Sequence, residues 1–474
     1  MATVTERLER VLEREAPTWG VRPVPPEHRR LGGVDFAVLW GDLAIGLLVM
    51  LTGTFLVLPA ELGGFGLGLP EALLAVAVGS LVGCVPLALV GLAGAREGVP
   101  GMVLFRPVLG LRGSYLPSVL NVAQLVGWTG FEFWVMALVA DQVSARLFGF
   151  RSYWFWLAVV AVVCTALALG GPILVVRRWL ERFGVWVLAG AAGWITFATL
   201  TASDLGSLWS RPGTGGVPFW LAVDLVIVMP VSWLPLVADY NRFARGAWSS
   251  AGGTFAGYAL GNVWLYALGA LLAAGVGLAA PAPGPLGQAI AALAGGGAVL
   301  LALLVGETDE AFADIYSAAV SSQNVVERLP QRGAVVAVAA VGAALAAWLG
   351  LAESSTLVYE SFLFLLGSVF VPLFGVFVAD YFVLRGGGGE ASVGGGRAAL
   401  PAFAAWGLGF LVYHWSVPVG PRAWVEGVRG FFEGLGLPFP LWGSVAGASL
   451  PAFGAALVGY LALAPLRRAL RARQ

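Results

Sequence analysis

Long apolar stretches alternate with short polar connections along almost the whole chain. An apolar run of about 20 residues crosses the hydrocarbon core as a helix, so this pattern predicts an all-α polytopic membrane protein with about twelve transmembrane helices. The predicted spans are residues 34–57, 71–94, 114–143, 152–173, 183–202, 217–239, 254–278, 297–325, 334–351, 355–382, 399–419 and 443–465. An amphipathic segment at 425–438 is expected to lie outside the bilayer.

Two of the spans carry helix-breaking residues. Span 1 contains Gly41 and Gly46 around Asp42, and span 6 contains Pro230 and Pro235. A matched pair of interrupted helices indicates an inverted-repeat transporter with its binding site at the breaks. The alternative is that Gly and Pro are simply common in membrane helices. The predicted organisation is a first five-helix repeat at 34–202, a second at 217–382, a Gly-rich loop at 383–398 and two further helices within 399–474.

Composition and charge support this class and set the orientation. The chain of 474 residues is 59% hydrophobic and 11% charged, whereas soluble domains carry about 25% charged residues. With the N-terminus inside, 22 of the 27 basic residues, all arginines, fall in cytoplasmic segments. The positive-inside rule therefore predicts a plasma (inner) membrane protein with the segment 1–33 and the C-terminus in the cytoplasm. Cys84 and Cys164 lie in separate spans and predict no disulfide.

Span 8 contains four carboxylic acids in an otherwise apolar stretch. Each acid at mid-bilayer depth costs roughly 2.5–3.5 kcal/mol, so the group indicates a place where a cation, a proton or a polar solute is handled. Helical spacing puts Glu307, Glu310 and Asp314 on one face and turns Asp309 away. The alternative is a shorter span at 289–306, with the acids emerging into the cytoplasm.

Other polar and aromatic side chains lie near the breaks. Asp42 either caps a half-helix or binds a cation together with exposed carbonyls, and both interpretations stay open. Trp128 and Glu132 share a helix face in span 3, and Trp233 follows the break in span 6. Tryptophan is also an ordinary interfacial residue, but two aromatic faces beside carboxylates suit a flat, hydrogen-bonding heterocycle.

Several motifs resemble the nucleobase–cation symporter-1 (purine–cytosine permease) family. They lie at 98–114, 127–132, 232–242, 314–318 and 380–385, in the order that the family has. The resemblance implies a LeuT-like five-plus-five fold and a symporter that works by alternating access with Na⁺ or H⁺. We expect no catalytic activity, no cofactor other than a coupling Na⁺, no nucleic-acid partner and a monomer in the lipid bilayer.

The resemblance also implies a substrate site. Trp128 and Trp233 look like the aromatic pair that stacks on the substrate ring, and Glu132 and Asp314 fall where hydantoin-transporting members have Gln and Asn. The implied substrate-binding set also includes Ser232 and Gly46. Because an ionised carboxylate only accepts hydrogen bonds, the acids favour an aminopyrimidine such as hydroxymethylpyrimidine or cytosine. The alternative substrates are a purine, uracil, hydantoin, allantoin or an amino acid.

The family's sodium site maps onto spans 1 and 8. It corresponds to carbonyls of Asp42, Ile45 and Val305 and to the side chains of Thr308 and Asp309. The chain departs from the family at Asp42 and Asp309, which stand where a carbonyl-donating residue and a Thr are expected. These acids either hold Na⁺ more strongly or relay a proton, and Glu307 and Glu310 have no assigned role.

Three competing classes are weaker. An amino-acid or amine transporter of the same architecture would gain nothing from stacked tryptophans. A membrane enzyme finds little support, because the only histidines are His28 and His414 and no hydrolase or protease motif is present. A channel would need pore-lining rings, which the sequence does not show.

Overall fold

A computed structural model describes residues 19–170, 184–388 and 399–472. Most of the predicted N-terminal segment 1–33 and of the Gly-rich loop 383–398 lies outside these ranges, as do the end of the span 152–173 and residue 183. Within the described ranges the secondary structure is helical, apart from an isolated bridge between Leu31 and Ala244.

The described α-helices are numbered here in chain order. They are α1 (Gly33–Asp42), α2 (Leu47–Val57), α3 (Leu69–Glu97), α4 (Gly101–Leu104), α5 (Arg106–Leu109), α6 (Tyr115–Phe148), α7 (Tyr153–Gly170), α8 (Val185–Ala202), α9 (Leu205–Ser210), α10 (Phe219–Ser232), α11 (Val237–Asn241), α12 (Ala247–Val276), α13 (Pro283–Ala292), α14 (Gly296–Val325), α15 (Gln331–Leu349), α16 (Ser355–Val378), α17 (Leu400–Ser416), α18 (Arg422–Gly434), α19 (Trp442–Ala446) and α20 (Ser449–Ala472). A π-helix, Ala379–Leu384, continues α16.

Each predicted span coincides with a described helix or helix pair. Among the described residues, eight helices are long and apolar enough to cross a membrane, or nine when α1 and α2 count as one broken span. The acid-bearing α14 is not one of these, although it is 30 residues long. The all-α membrane class is therefore confirmed, whereas the number of crossings and the internal repeat stay predictions.

Both predicted helix interruptions are present. α1 and α2 meet at an angle of 59°, and the connection is tightened by the Ile45 N–H, which donates to the Asp42 carbonyl at 2.8 Å. In span 6, α10 ends at Ser232 and α11 begins at Val237. Pro235 lies in this gap and has no N–H to continue a helix. Span 6 is thus interrupted without the large bend of span 1.

A row of glycines in α12 receives the broken span 1. Gly253, Gly257, Gly261 and Gly269 recur at intervals of four or eight residues, so they share one helix face. A Cβ atom at Gly257 would overlap the backbone of Ala37 in α1, and the other three glycines are similarly close to α1, α2 or their connection. Small residues allow this backbone-to-backbone approach in membrane proteins. α1 and α2 therefore lie directly on α12.

Two buried charged residues connect span 6 to peripheral segments. In α10, the Asp224 carboxylate accepts the backbone N–H groups of Ala448 at 2.6 Å and Ser449 at 3.0 Å, at the start of α20. Just after α11, the Arg242 guanidinium donates to the carbonyl of Gly20 at 2.6 Å. Both ends of span 6 are therefore bonded to segments outside the predicted repeats.

Candidate functional site

A closed cavity lies where the interrupted helices meet α6 and α14. It is lined by the aromatic residues Trp128, Trp233 and Tyr258, the acids Glu132, Glu310 and Asp314, and the apolar side chains of Leu43, Leu48, Val49 and Met229. Its open volume is about 10 Å³, which is room for roughly one water molecule. The walls are therefore in contact, and a ring-shaped ligand requires them to separate.

Helix geometry explains why the polar walls face each other. Trp128 and Glu132 are one turn apart on α6, and Glu310 and Asp314 are one turn apart on α14, so each pair shares a face. Trp233 is the first residue after α10. The structure thus brings together four residues of the predicted substrate set, and it adds Glu310, to which the sequence assigned no role.

Neighbouring aromatic rings fix the planes of the two tryptophans. Trp128 packs edge-on against Tyr359 and Phe362, with ring centroids 6.1 and 5.3 Å away. Trp233 packs edge-on against Trp40 at 5.8 Å. Edge-to-face packing of this kind is favourable for aromatic pairs, so the rings keep their orientation where they border the cavity.

A second group of acids extends from the cavity to the break in span 1. Glu132, Glu307 and Glu310 are all buried, and each offers a carboxylate oxygen that lies within 4.8 Å of the other two. Glu307 accepts the backbone N–H of Leu47, the first residue of α2. A helix N-terminus favours a negative charge. Gly46 leaves the space that Glu310 fills, because a Cβ there would collide with the Glu310 carboxylate.

The predicted cation-binding residues are only partly brought together. Asp42 and Asp309 are both buried. Neither carboxylate oxygen of Asp42 has a hydrogen-bond partner among the described residues. The Thr308 hydroxyl donates to the Val305 carbonyl at 2.6 Å, within its own helix. The unpaired oxygens of Asp42 suit a cation, because a buried charge requires a partner.

Ser232, which was predicted to bind the substrate, is not among the residues that line the cavity. Its hydroxyl donates to the Met229 carbonyl at 2.7 Å, and its own carbonyl accepts the side-chain amide of Gln124 at 2.8 Å. Gln124 lies one turn before Trp128 and was not predicted from the sequence. The spacing of four residues from Gln124 to Trp128 and again to Glu132 is the signal that identifies it.

Interrupted membrane helices around a polar, closed cavity define a broken-helix membrane transporter. A family model described as a permease for cytosine/purines, uracil, thiamine and allantoin matches residues 23–423. The chain therefore belongs to this family of permeases, which are transporters and not enzymes. This confirms the resemblance that the sequence motifs indicated.

Individual relatives are distant. The hydantoin permease of Microbacterium maritypicum is 23% identical over 226 residues, which cover 47% of this chain and 44% of that protein, so this match spans less than half of its length. The cytosine permease of Escherichia coli strain K12 is 26% identical over 370 residues, 77% of this chain and 80% of that one. Mhp1, a nucleobase-cation-symport-1 family transporter in a closed conformation with bromovinylhydantoin bound, superposes with a TM-score of 0.75 at 19% identity, covering 94% of this chain and 95% of that chain. That similarity establishes the shared fold.

Proposed function

We propose that the protein imports a small aminopyrimidine, such as hydroxymethylpyrimidine or cytosine, together with Na⁺ or H⁺ by alternating access. The observation that carries this proposal is a single cavity bordered by Trp128, Trp233 and the carboxyl groups of Glu132, Glu310 and Asp314. We place the protein in the plasma (inner) membrane as a monomer, with both termini in the cytoplasm.

The carboxylic acids that border the cavity favour one class of heterocyclic substrate over another. An ionised carboxylate accepts hydrogen bonds and donates none, so its ligand must offer N–H groups. An aminopyrimidine offers an exocyclic amino group and basic ring nitrogens, whereas hydantoin and uracil place carbonyl oxygens beside each N–H. Glu310 strengthens the inference drawn from Glu132 and Asp314, because it adds a third hydrogen-bond acceptor to the same cavity.

The coupling ion is assigned to the region around Asp42. Its unpaired oxygens, together with Asp309, the carbonyls of Ile45 and Val305, and the Thr308 hydroxyl, are the groups that would hold Na⁺ or pass on a proton. A cation there supplies positive charge next to the break in span 1. Coupling requires that the cation and the substrate favour the same conformation.

Ligand-induced thermal shifts of the purified protein test the substrate class. Cytosine and hydroxymethylpyrimidine should stabilise the wild type more than uracil, hydantoin, allantoin, purines or amino acids do, with Na⁺ and choline compared at equal ionic strength. Glu132→Gln removes one charge-assisted hydrogen bond, which contributes about 1.5–3 kcal/mol. We therefore expect the Kd for aminopyrimidines to rise roughly 10- to 150-fold, with a smaller change for imide-bearing rings.

Glu360→Gln is the matched control, because Glu360 is a half-buried acid of α16 that does not border the cavity. It should leave both classes of ligand unaffected. Equal weakening of aminopyrimidine and imide binding by Glu132→Gln contradicts the proposal. Stabilisation of the wild type by one of the other compounds, with none by aminopyrimidines, supports the alternative substrate instead.

A further inference from the structure

Glu132, Glu307 and Glu310 form a group distinct from the set around Asp42 and Asp309. The sequence assigned Glu132 to the substrate and gave Glu307 and Glu310 no role, and the family match does not assign the three as a group. We propose that this carboxylate triad is an additional binding site for a hard metal cation of the size of Na⁺ or Ca²⁺. The site lies beside the substrate cavity, and the inference does not depend on which ring the cavity takes.

The geometry of the triad suits such an ion. Because the three oxygens are all within 4.8 Å of one another, some point lies no more than about 2.8 Å (4.8/√3) from each of them. Oxygen ligands bind Ca²⁺ at about 2.3–2.6 Å, whereas Mg²⁺ requires about 2.0–2.1 Å and near-octahedral geometry. If the three oxygens moved inward by a few tenths of an ångström, all three would lie at a Ca²⁺–oxygen bonding distance. The smaller Mg²⁺ would require a larger inward movement.

Unpaired buried oxygens provide the independent indication of a ligand. Among the described residues, one carboxylate oxygen of Glu132 and one of Glu307 have no hydrogen-bond partner, and both oxygens of the neighbouring Asp42 share this property. The three side chains of the triad are at most 5% exposed, and Asp42 is 2% exposed. Buried anions are costly without a positive partner, and a cation supplies one.

The triad also joins the moving parts of the predicted transport cycle. Glu307 accepts the Leu47 N–H at the start of α2, Glu310 lies against Gly46, and Glu132 and Glu310 border the cavity. A bound cation would therefore connect the break in span 1, α6 and α14. Its occupancy and substrate binding would then be reciprocally linked.

The experiment uses the purified full chain without substrate, in N-methyl-D-glucamine chloride with a chelator in the starting buffer. NaCl and CaCl₂ are titrated separately, with KCl and MgCl₂ as size comparators, and thermal stability and heat of binding are recorded. We expect saturable binding of Na⁺ or Ca²⁺ in preference to K⁺ and Mg²⁺. Affinity should fall at least about tenfold in Glu307→Gln and Glu310→Gln, and Glu360→Gln should behave as the wild type.

Two results overturn the proposal. One is the absence of saturable binding by either ion to the folded wild type. The other is binding that persists in Glu307→Gln and Glu310→Gln but is lost in Asp42→Asn or Asp309→Asn, which would assign the ion to the other set. Because no substrate is present, failure here is distinguishable from failure of the aminopyrimidine proposal.

A second measurement does not require the carboxylate variants to fold. Tb³⁺ replaces Ca²⁺ in the wild type, and its emission is excited through Trp128, one helical turn from Glu132. We expect emission that Ca²⁺ displaces and that falls in Trp128→Phe. Emission that Ca²⁺ does not displace contradicts a cation at the triad.

Discussion

Substitution of Gly257 by alanine tests the close contact between α1 and α12. The added Cβ would lie 2.9 Å from both the Cα and the carbonyl carbon of Ala37, and closer still to its oxygen. These are backbone atoms, so no side-chain rotation relieves the overlap. Ordinary contact begins at 3.4 Å, which means that the two helices must separate by at least about 0.5 Å. A gap of that size forfeits a quarter or more of the dispersion attraction between facing atoms.

The expected cost is about 1–3 kcal/mol, the usual range for overpacking a well-packed interface. Gly252 gives a matched control on the same helix, because a Cβ there meets nothing within 4 Å. Replacing a glycine in an open helical position by alanine stabilises the helix by up to about 1 kcal/mol. The two variants therefore add the same methyl group and should change the free energy of unfolding in opposite directions.

The assay is thermal unfolding of both variants and the wild type in one detergent, supported by denaturant titration. We expect the midpoint of Gly257→Ala to fall and that of Gly252→Ala to remain or rise, with the two separated by a few degrees. Gly257→Ala should also lower uptake, since α1 adjoins the break. Equal midpoints for the two variants would refute the reasoning that backbone contact, and not glycine flexibility, explains the glycine row.

Two further substitutions test the packing around span 6. Arg242→Gln shortens the donor to the Gly20 carbonyl and removes a charge-assisted hydrogen bond of about 1.5–3 kcal/mol, so limited proteolysis should cleave the segment 19–31 faster than in the wild type; unchanged cleavage would show that Arg242 does not hold it. Asn241→Leu leaves the indole N–H of Trp40, now bonded at 3.1 Å, without its acceptor at a cost of about 1–3 kcal/mol; thermal stability should fall, and an unchanged midpoint would contradict this.

The fold was largely predictable because its signals are local. A membrane helix must satisfy its own backbone hydrogen bonds, so a run of apolar residues identifies it without knowledge of its neighbours. The breaks were equally local, since Gly46 and Pro235 act on their own backbone. The last predicted span, 443–465, overlaps the apolar part of α20 at Ser449–Pro465, and the helix continues to Ala472.

The site was predictable where spacing along one helix decided it. The shared face of Trp128 and Glu132 and that of Glu307, Glu310 and Asp314 follow from a period of 3.6 residues. The structure places all of these except Glu307 around one cavity. Contacts between different helices could not be predicted from the sequence. No pattern in the sequence indicates that Glu307 meets the Leu47 N–H, because that contact depends on how α14 packs against the break 260 positions away in the chain. The substrate and cation roles stay predictions.

The bond between Asp224 and the first turn of α20 changes how the end of the chain should be regarded. The Asp224 carboxylate in α10 accepts hydrogen bonds from two backbone N–H groups, one immediately before and one at the first residue of the C-terminal helix. Removing everything after Gly447 would leave the predicted ten-helix core with a bare buried acid. The ten-helix core therefore depends on the last helix for its stability. We expect a protein truncated after Gly447 to accumulate poorly, even though it retains every residue that lines the cavity.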